Sequence, residues 1–151
     1  MSNISTIYDE LLALVPTILT DHEQLNNPYF IDDETDIKFE KGWTLGFGPG
    51  QNTNREVGAR FSWNRTFVLS ISRRVFAHFR DYDQRITDEK LLLEDQKQLI
   101  NGLEPYTSTA IANIRFVGDN GLEFLPGEGG SRFGFLLIHN NVSVEYFECF
   151  T

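Results

Sequence analysis

The segment from Ala59 to Ala77 places the tightest constraint on the fold, because its apolar and polar side chains alternate almost without interruption. A period of two is typical of a strand with one buried face. Strands usually run for about five or six residues, so this one is far longer than most. We expect a strand that projects beyond a small core and leaves apolar area for a second copy to cover edge to edge. That favours a scaffold or assembly protein over a pocket enzyme. The apolar positions are Phe61, Trp63, Phe67, Leu69, Ile71 and Val75.

Size and charge narrow the class of protein. The 151 residues, 40% of them hydrophobic, predict a single domain spanning 1–151 with a real core. The formal net charge of −9 disfavours binding to nucleic-acid phosphates and gives no reason to expect an anionic membrane surface. Cys149 is the only cysteine, and the N-terminus lacks the pattern of a secretion signal. We therefore expect a protein made in a reducing cytoplasm.

Two amphipathic segments predict helices. Residues 3–19 repeat apolar side chains at three- and four-residue steps, with a kink or an end near Val15 because Pro16 lacks a backbone donor. The second helix is expected to begin at an N-cap at Thr87 and to run to about Asn101. Gly102 suits a left-handed residue after its end.

The remaining chain predicts strands and loops. A polar, loop-rich segment is expected at about 21–42. A strand over 43–47 is expected to join the long strand through a loop at 48–54, as a hairpin. Farther on, we expect a strand over 111–117, a tight turn at 118–121 and a return strand over 122–125. A glycine-rich loop at 126–131 precedes the last apolar segment, where residues 140–141 form either a hairpin turn or a bulge.

This order of elements predicts an α+β fold. Its antiparallel-rich sheet contains a long β-hairpin, and two helices pack on one face of the sheet.

No motif in the chain predicts catalysis. The glycines at 46, 48 and 50 do not have the spacing of a dinucleotide-binding loop, and no helix is expected to follow them. The three histidines are interpreted as exposed residues, with His78 and His139 at strand ends. We therefore expect neither an enzyme nor a cofactor or metal.

Arginine residues mark the candidate contact surface. Arg65 and Arg73 share the apolar face of the long strand, and a buried guanidinium requires a carboxylate partner. For Arg73 that partner is either a neighbouring subunit or, within the chain, Glu89 or Asp88. Arg73→Glu is then expected to impair assembly while the monomer stays folded. The candidate interface residues are Arg65, Arg73, Arg74, Pro49, Gln51, Asn54 and Glu128.

The organisation of the whole chain resembles a viral family. A short N-terminal helix precedes a long aromatic-rich strand beginning Arg60-Phe-Ser-Trp-Asn-Arg, a charged helix follows from Thr87, and an apolar strand pair from Phe133 to Phe147 closes the chain. This order is similar to that of the tail terminator, or tail-completion, proteins of long-tailed bacteriophages. Since that family has no catalytic motif, the resemblance transfers no site residue.

The resemblance implies a structural virion protein, assembled in the host cytoplasm. Copies would form a ring, hexameric in the family, that caps the head-proximal end of the tail tube. Its partners would be itself, the tail tube protein and the head-completion or connector protein, with DNA passing through the lumen without specific binding. Two alternatives stay open: another neck protein, such as a head-completion or head–tail adaptor subunit, and a small acidic protein-binding module.

Overall fold

The computed structural model describes residues 4–25, 40–57, 60–76, 82–126 and 133–149, which form two helices and five strands. In chain order these are α1 (Ile4–Ile18), β1 (Glu23–Gln24), β2 (Lys41–Val57), β3 (Arg60–Phe76), α2 (Tyr82–Leu103), β4 (Ile111–Pro126) and β5 (Phe133–Cys149). Residues 26–39 of the expected loop-rich segment and residues 127–131 of the expected glycine-rich loop lie outside these ranges, while Pro126 ends β4.

The five strands form one sheet in the order β1-β2-β3-β5-β4. The short β1 pairs with β2 in parallel, and all other neighbours are antiparallel. The α+β fold with its long β2–β3 hairpin is therefore confirmed. The expectation that β3 leaves apolar area for a second copy to cover edge to edge is wrong for the apolar side chains that its alternating face presents from Phe67 to Val75, all of which are buried. Both edges of β3 are also occupied, because it pairs with β5 along its whole length and with β2 from Arg60 to Arg73.

The alternating pattern of β3 directs one face of the sheet toward both helices. Phe67, Leu69 and Ile71 are fully buried there, in one core cluster with Leu11 of α1 and Leu92 of α2. Each large apolar side chain buried in this way contributes about 1.5–3 kcal/mol relative to exposure. Both helices therefore sit on the same face. The helix residues of that cluster are Ile7, Leu11, Val15, Leu92, Leu99 and Leu103.

The predicted loop at 48–54 is instead part of β2. The strand continues to Val57 and absorbs the irregular sequence in two register shifts, between Phe47 and Gly50 and between Asn52 and Glu56. Bulges of this kind let a strand accommodate extra residues while the ladder to its neighbour continues.

The predicted turn at 118–121 is also wrong. β4 runs through it as one strand beside β5, with register shifts around Val117 and at Asn120–Gly121, where Gly121 has a φ of 84°. β5 is also continuous through Asn140 and Asn141, so no hairpin turn forms there. The buried Asn140 side chain donates to the Leu69 carbonyl at 3.0 Å, which holds β5 against β3 at this point.

α1 spans nearly the whole predicted range of 3–19, because the helix continues through Pro16 to Ile18 and does not end near Val15. The start of α2 differs from its prediction. α2 begins at Tyr82, so Thr87 lies inside it and donates its hydroxyl to the Asp83 carbonyl rather than capping the helix. Gly102 is a helical residue. A Cβ added at this position would lie only 2.6–2.8 Å from side-chain carbons of Ile18. Close approach of α1 to α2, rather than a left-handed backbone, explains this glycine.

Candidate subunit interface

Arg73 has its carboxylate partner within the chain. Its Nη2 lies 2.9 Å from Oδ2 of Asp95 on α2, and both side chains are largely buried. The prediction of a carboxylate partner within the chain is therefore correct, but the partner is Asp95 and not Glu89 or Asp88. Asp95 lies two turns farther along the helix, where α2 crosses the centre of the sheet. Asp95 was not predicted as the partner because it lies on the buried face of α2, between the core residues Leu92 and Leu99.

The Arg73–Asp95 pair is one end of a chain of ionisable side chains. His22, whose side chain is fully buried, lies 3.6 Å from Asp95 through Nε2 and 3.0 Å from Asp21 through Nδ1. Lys41 Nζ then donates to the other oxygen of Asp21 at 2.5 Å. The hydrogen bond from Lys41 is the main reason that the pKa of Asp21 falls to about 2. This network fastens the segment before β1 to β2 and α2.

Burial and hydrogen bonding act in opposite directions on Asp95. Burial raises the pKa of this carboxyl, but hydrogen bonding to His22 and Arg73 outweighs it and the net shift is downward. At 3.6 Å the His22 separation is long for a hydrogen bond, so we assign most of this stabilisation to Arg73. Asp95 is therefore an ionised structural group.

Arg74 points to the opposite face of the sheet. Its Nη2 lies 3.5 Å from Oε1 of the exposed Glu40, and its backbone N–H donates to the Glu40 carbonyl at 2.7 Å. Exposed pairs at this distance contribute little, about 0–1 kcal/mol. These contacts with Glu40 secure the entry to β2.

Arg65 is the arginine that best fits the predicted contact. Its guanidinium lies over Gly50, where a Cβ would come within 2.7 Å of Nη2, and its Nη1 donates to the Gly48 carbonyl at 3.2 Å. Its Nε is buried without a hydrogen-bond partner. Among the side chains that the structure describes, which exclude those of Glu56 and Glu148, no carboxylate lies within ion-pair distance of Arg65. Its half-buried guanidinium lies over Gly50 of β2.

Phe47 stands beside this cation on β2. Its side chain is 57% exposed, although one face of the ring stacks on Tyr8 with centroids 4.8 Å apart. In the described part of the sheet, β1 covers β2 only at Gly42 and Trp43, and no strand lies outside Phe47. We call Phe47, Gly48, Gly50 and Arg65 the β2 edge surface.

A second exposed apolar residue lies at the other edge of the sheet. Val117 of β4 sits at a register shift and is 64% exposed. Its neighbour Phe116 donates its backbone N–H to Glu104, and Asp119 accepts from the side-chain amide of Gln96 on α2. Val117 is the most exposed large apolar side chain among the described residues. Sequence reasoning missed it because the turn predicted at 118–121 hid the strand edge.

The other predicted contact residues are only partly located. The backbones of Pro49, Gln51 and Asn54 belong to β2, on the outer side of the sheet from β3, while their side chains lie outside the description. Glu128 lies outside the described residues altogether. Their assignment to an interface stays a prediction.

A serine, a histidine and a carboxylate also meet across three strands. Ser70 Oγ lies 2.6 Å from Nδ1 of His139, and His139 Nε2 lies 3.4 Å from Oε2 of Glu123. His139 is therefore a buried residue in the middle of β5, and its prediction as an exposed strand-end residue is wrong. Ser70 is also buried and lies on the central strand, where flanking ladders use the backbone donors that an oxyanion would need. The geometry favours a structural cross-strand link.

The described ranges hold no group of three or more His, Cys, Asp or Glu residues placed to bind a metal ion. Neither described helix is long and apolar enough to cross a membrane.

No protein-family model matches the chain, and a search of curated proteins finds no similar sequence.

Proposed function

We propose that this protein is a structural subunit of a bacteriophage tail or neck, and that copies of it form a ring on the head-proximal end of the tail tube. The observation that carries the proposal is the β2 edge surface. On this surface the aromatic ring of Phe47 is mostly exposed. Beside it, the half-buried guanidinium of Arg65 forms no ion pair with a carboxylate among the described side chains, and its Nε has no hydrogen-bond partner. An unpaired, partly desolvated charge is costly, and a carboxylate from a partner protein would offset that cost.

The sheet geometry supports a partner contact at the edges rather than in a pocket. Exposed large apolar side chains occur at both outer strands, and those strands carry all the register shifts, while β3 and β5 pair without interruption. Bulges on an outer strand discourage indiscriminate pairing with other sheets. A partner would then be recognised by side chains rather than by backbone pairing. Recognition by side chains makes the contact specific, as an ordered assembly requires.

Ring formation would provide the mechanism of capping. Subunits that contact one another head to tail form a closed ring when the rotation from one copy to the next is a whole fraction of a full turn. Several weak contacts to the tube end then act together, because binding of one subunit raises the effective concentration of the others. The resemblance suggests a hexamer that stops tube growth and receives the head connector.

The test is the mass and shape of the assembly. Sedimentation velocity and native mass spectrometry of the purified chain, alone and with tail tube protein, should give a sixfold mass, and electron micrographs should show rings on tube ends. A ring that binds isolated heads but not tubes would favour a head-completion or adaptor subunit instead. A chain that stays monomeric or dimeric under all these conditions would contradict the proposal and favour an acidic binding module.

A further inference from the structure

We propose that Asn120 is a site of spontaneous deamidation, in which its side-chain amide is lost through a succinimide formed with the backbone nitrogen of Gly121. The sequence Asn-Gly-Leu occurs twice in the chain, at 101–103 and at 120–122. The first copy ends α2 and the second lies within β4. Because the local chemistry is the same, any difference between the two sites comes from the fold. The reaction is a property of the single chain and is independent of the proposed ring.

The only co-reactant is water. The backbone nitrogen of Gly121 attacks the side-chain carbonyl carbon of Asn120, loses its proton to solvent and expels the side-chain nitrogen as ammonia. Water then opens the five-membered ring at either of its two carbonyls, which leaves an aspartate or an isoaspartate. A following glycine favours the attack, because it has no Cβ to hinder the approach and its backbone adopts conformations that other residues avoid.

Asn120 lies where β4 departs from regular pairing with β5. The register passes from Asp119 directly to Leu122, so Asn120 and Gly121 form a bulge between two paired residues. Both residues of the bulge are exposed. Gly121 has a φ of 84°, and a Cβ built on it would meet no atom within 4 Å. The backbone here therefore has room to rearrange around a succinimide.

One hydrogen bond restrains the attacking nitrogen. The backbone N–H of Gly121 donates to Oδ1 of Asp119 at 2.7 Å, and this contact is exposed. The other carboxylate oxygen of Asp119 accepts from the side-chain amide of Gln96 at 2.9 Å, which ties the carboxylate to α2. Water can replace Asp119 as the acceptor because the Gly121 bond is exposed. Asp119 therefore slows the attack without preventing it.

Asn101 is protected by its place in α2. Within a helix the N–H of Gly102 donates to the carbonyl four residues earlier, as part of a cooperative ladder. Ile18 of α1 also packs so closely that a Cβ added to Gly102 would lie 2.6–2.8 Å from its side-chain carbons. Ring closure would have to break the end of the helix and disturb this contact. Asn101 is itself exposed, so access to water does not distinguish the two sites.

The experiment follows both asparagines in one sample. The purified wild-type chain is incubated at mildly alkaline pH, and peptide mapping by mass spectrometry measures conversion to aspartate and isoaspartate at each site. In the folded chain Asn120 should deamidate at least about tenfold faster than Asn101, which corresponds to about 1.4 kcal/mol in activation free energy. In concentrated urea the two rates should become similar, because both sites are then unfolded Asn-Gly-Leu sequences.

Three variants test the parts of the site. Asn120→Ser should abolish the more acidic form that ion-exchange chromatography separates, whereas Asn101→Ser should leave it unchanged. Asp119→Ala should accelerate conversion at Asn120, because it releases the Gly121 N–H. Asp9→Ala removes an exposed carboxylate from α1 and is the matched control, with no expected change in rate. Circular dichroism checks the fold of each variant, and the comparison of the two asparagines in the wild-type chain needs no variant at all.

Two results would overturn the proposal. One is conversion at Asn101 as fast as at Asn120 in the folded chain. The other is a folded chain modified at neither site when the chain in urea is modified at both. Slower conversion in Asp119→Ala would contradict the restraint assigned to that carboxylate. None of these results depends on whether copies of the chain assemble, so they are distinct from the test of the proposed function.

Discussion

Arg73 of β3 and Asp95 of α2 form an ion pair, with 2.9 Å between Nη2 and Oδ2, that joins the centre of the sheet to the longer helix. This pair changes what is expected of Arg73. The sequence left its carboxylate partner open between a neighbouring subunit and Glu89 or Asp88 of the same chain, whereas the structure pairs its guanidinium with the largely buried Asp95.

Removing Arg73 should therefore destabilise the monomer. Arg73→Met leaves the Asp95 carboxylate mostly buried without its closest donor, and we expect a loss of about 2 kcal/mol in the free energy of unfolding, measured in urea. Arg73→Glu should cost more because two carboxylates then meet. Arg85→Met, which breaks an exposed pair with Glu89 on α2, is the control and should cost no more than about 0.5 kcal/mol. Equal effects at both positions would contradict the assignment.

Gly102→Ala tests the contact between the helices. Alanine favours a helix by about 1 kcal/mol over glycine, but its Cβ would lie within 2.8 Å of several atoms of Ile18. We expect the clash to prevail and the variant to lose about 1–3 kcal/mol of stability. Adding Ile18→Ala should make the effect of Gly102→Ala less unfavourable, and Asn101→Ala on the exposed side of α2 should not destabilise. A stabilised Gly102→Ala variant would show that the helices adjust freely.

Gly50→Ala separates folding from assembly. The new Cβ would meet the guanidinium of Arg65, the far end of a flexible side chain, at 2.7–2.8 Å. Because that end can move, thermal unfolding should change little, whereas displacement of the charge should weaken assembly. Sedimentation velocity reports the second effect. A variant that unfolds at much lower temperature would instead indicate that Arg65 is fixed as part of the monomer.

Acid should weaken the network around His22. The folded-state pKa of Asp21 is about 2, and that of Asp95 is also lowered. An unfolded aspartate titrates near a pKa of about 3.9. Both groups therefore contribute stability that is complete above about pH 4 and is lost as the pH falls toward the folded values. Asp21→Asn and Lys41→Met should each reduce the slope of unfolding free energy against pH in this range. Curves parallel to that of the wild type would contradict a role for the Lys41–Asp21 pair.

The sequence pattern predicted the length of β3 and which of its side chains are buried, but it did not predict which strands pair with β3. Alternation between 59 and 77 correctly predicted one long strand with a buried apolar face, because side-chain direction in a strand depends only on the residue's own place in the chain. The same pattern cannot say which strands lie on either side. β3 pairs with both β2 and β5, so in the described part of the sheet the strands at the two sides are β4 and, next to the two-residue β1, β2.

The predictions of a loop at 48–54 and a turn at 118–121 were wrong because they used only local residue preferences. The residues at 48–54 and 118–121 have the composition of loops, and in isolation they would favour turns. In the folded chain each lies beside a regular central strand, and the ladder holds both segments extended with bulges. Long-range pairing there outweighed local preference.

The sequence by itself determined the α+β class, the apolar face of β3 and the need of its arginines for carboxylates, since each follows from residue type and spacing along the chain. Only the tertiary structure decided that Asp95 meets Arg73, and that Phe47, Phe67, Val142 and Phe116 form one row across four strands. These residues are far apart in the sequence, and the packing of α2 and the strand register bring them together.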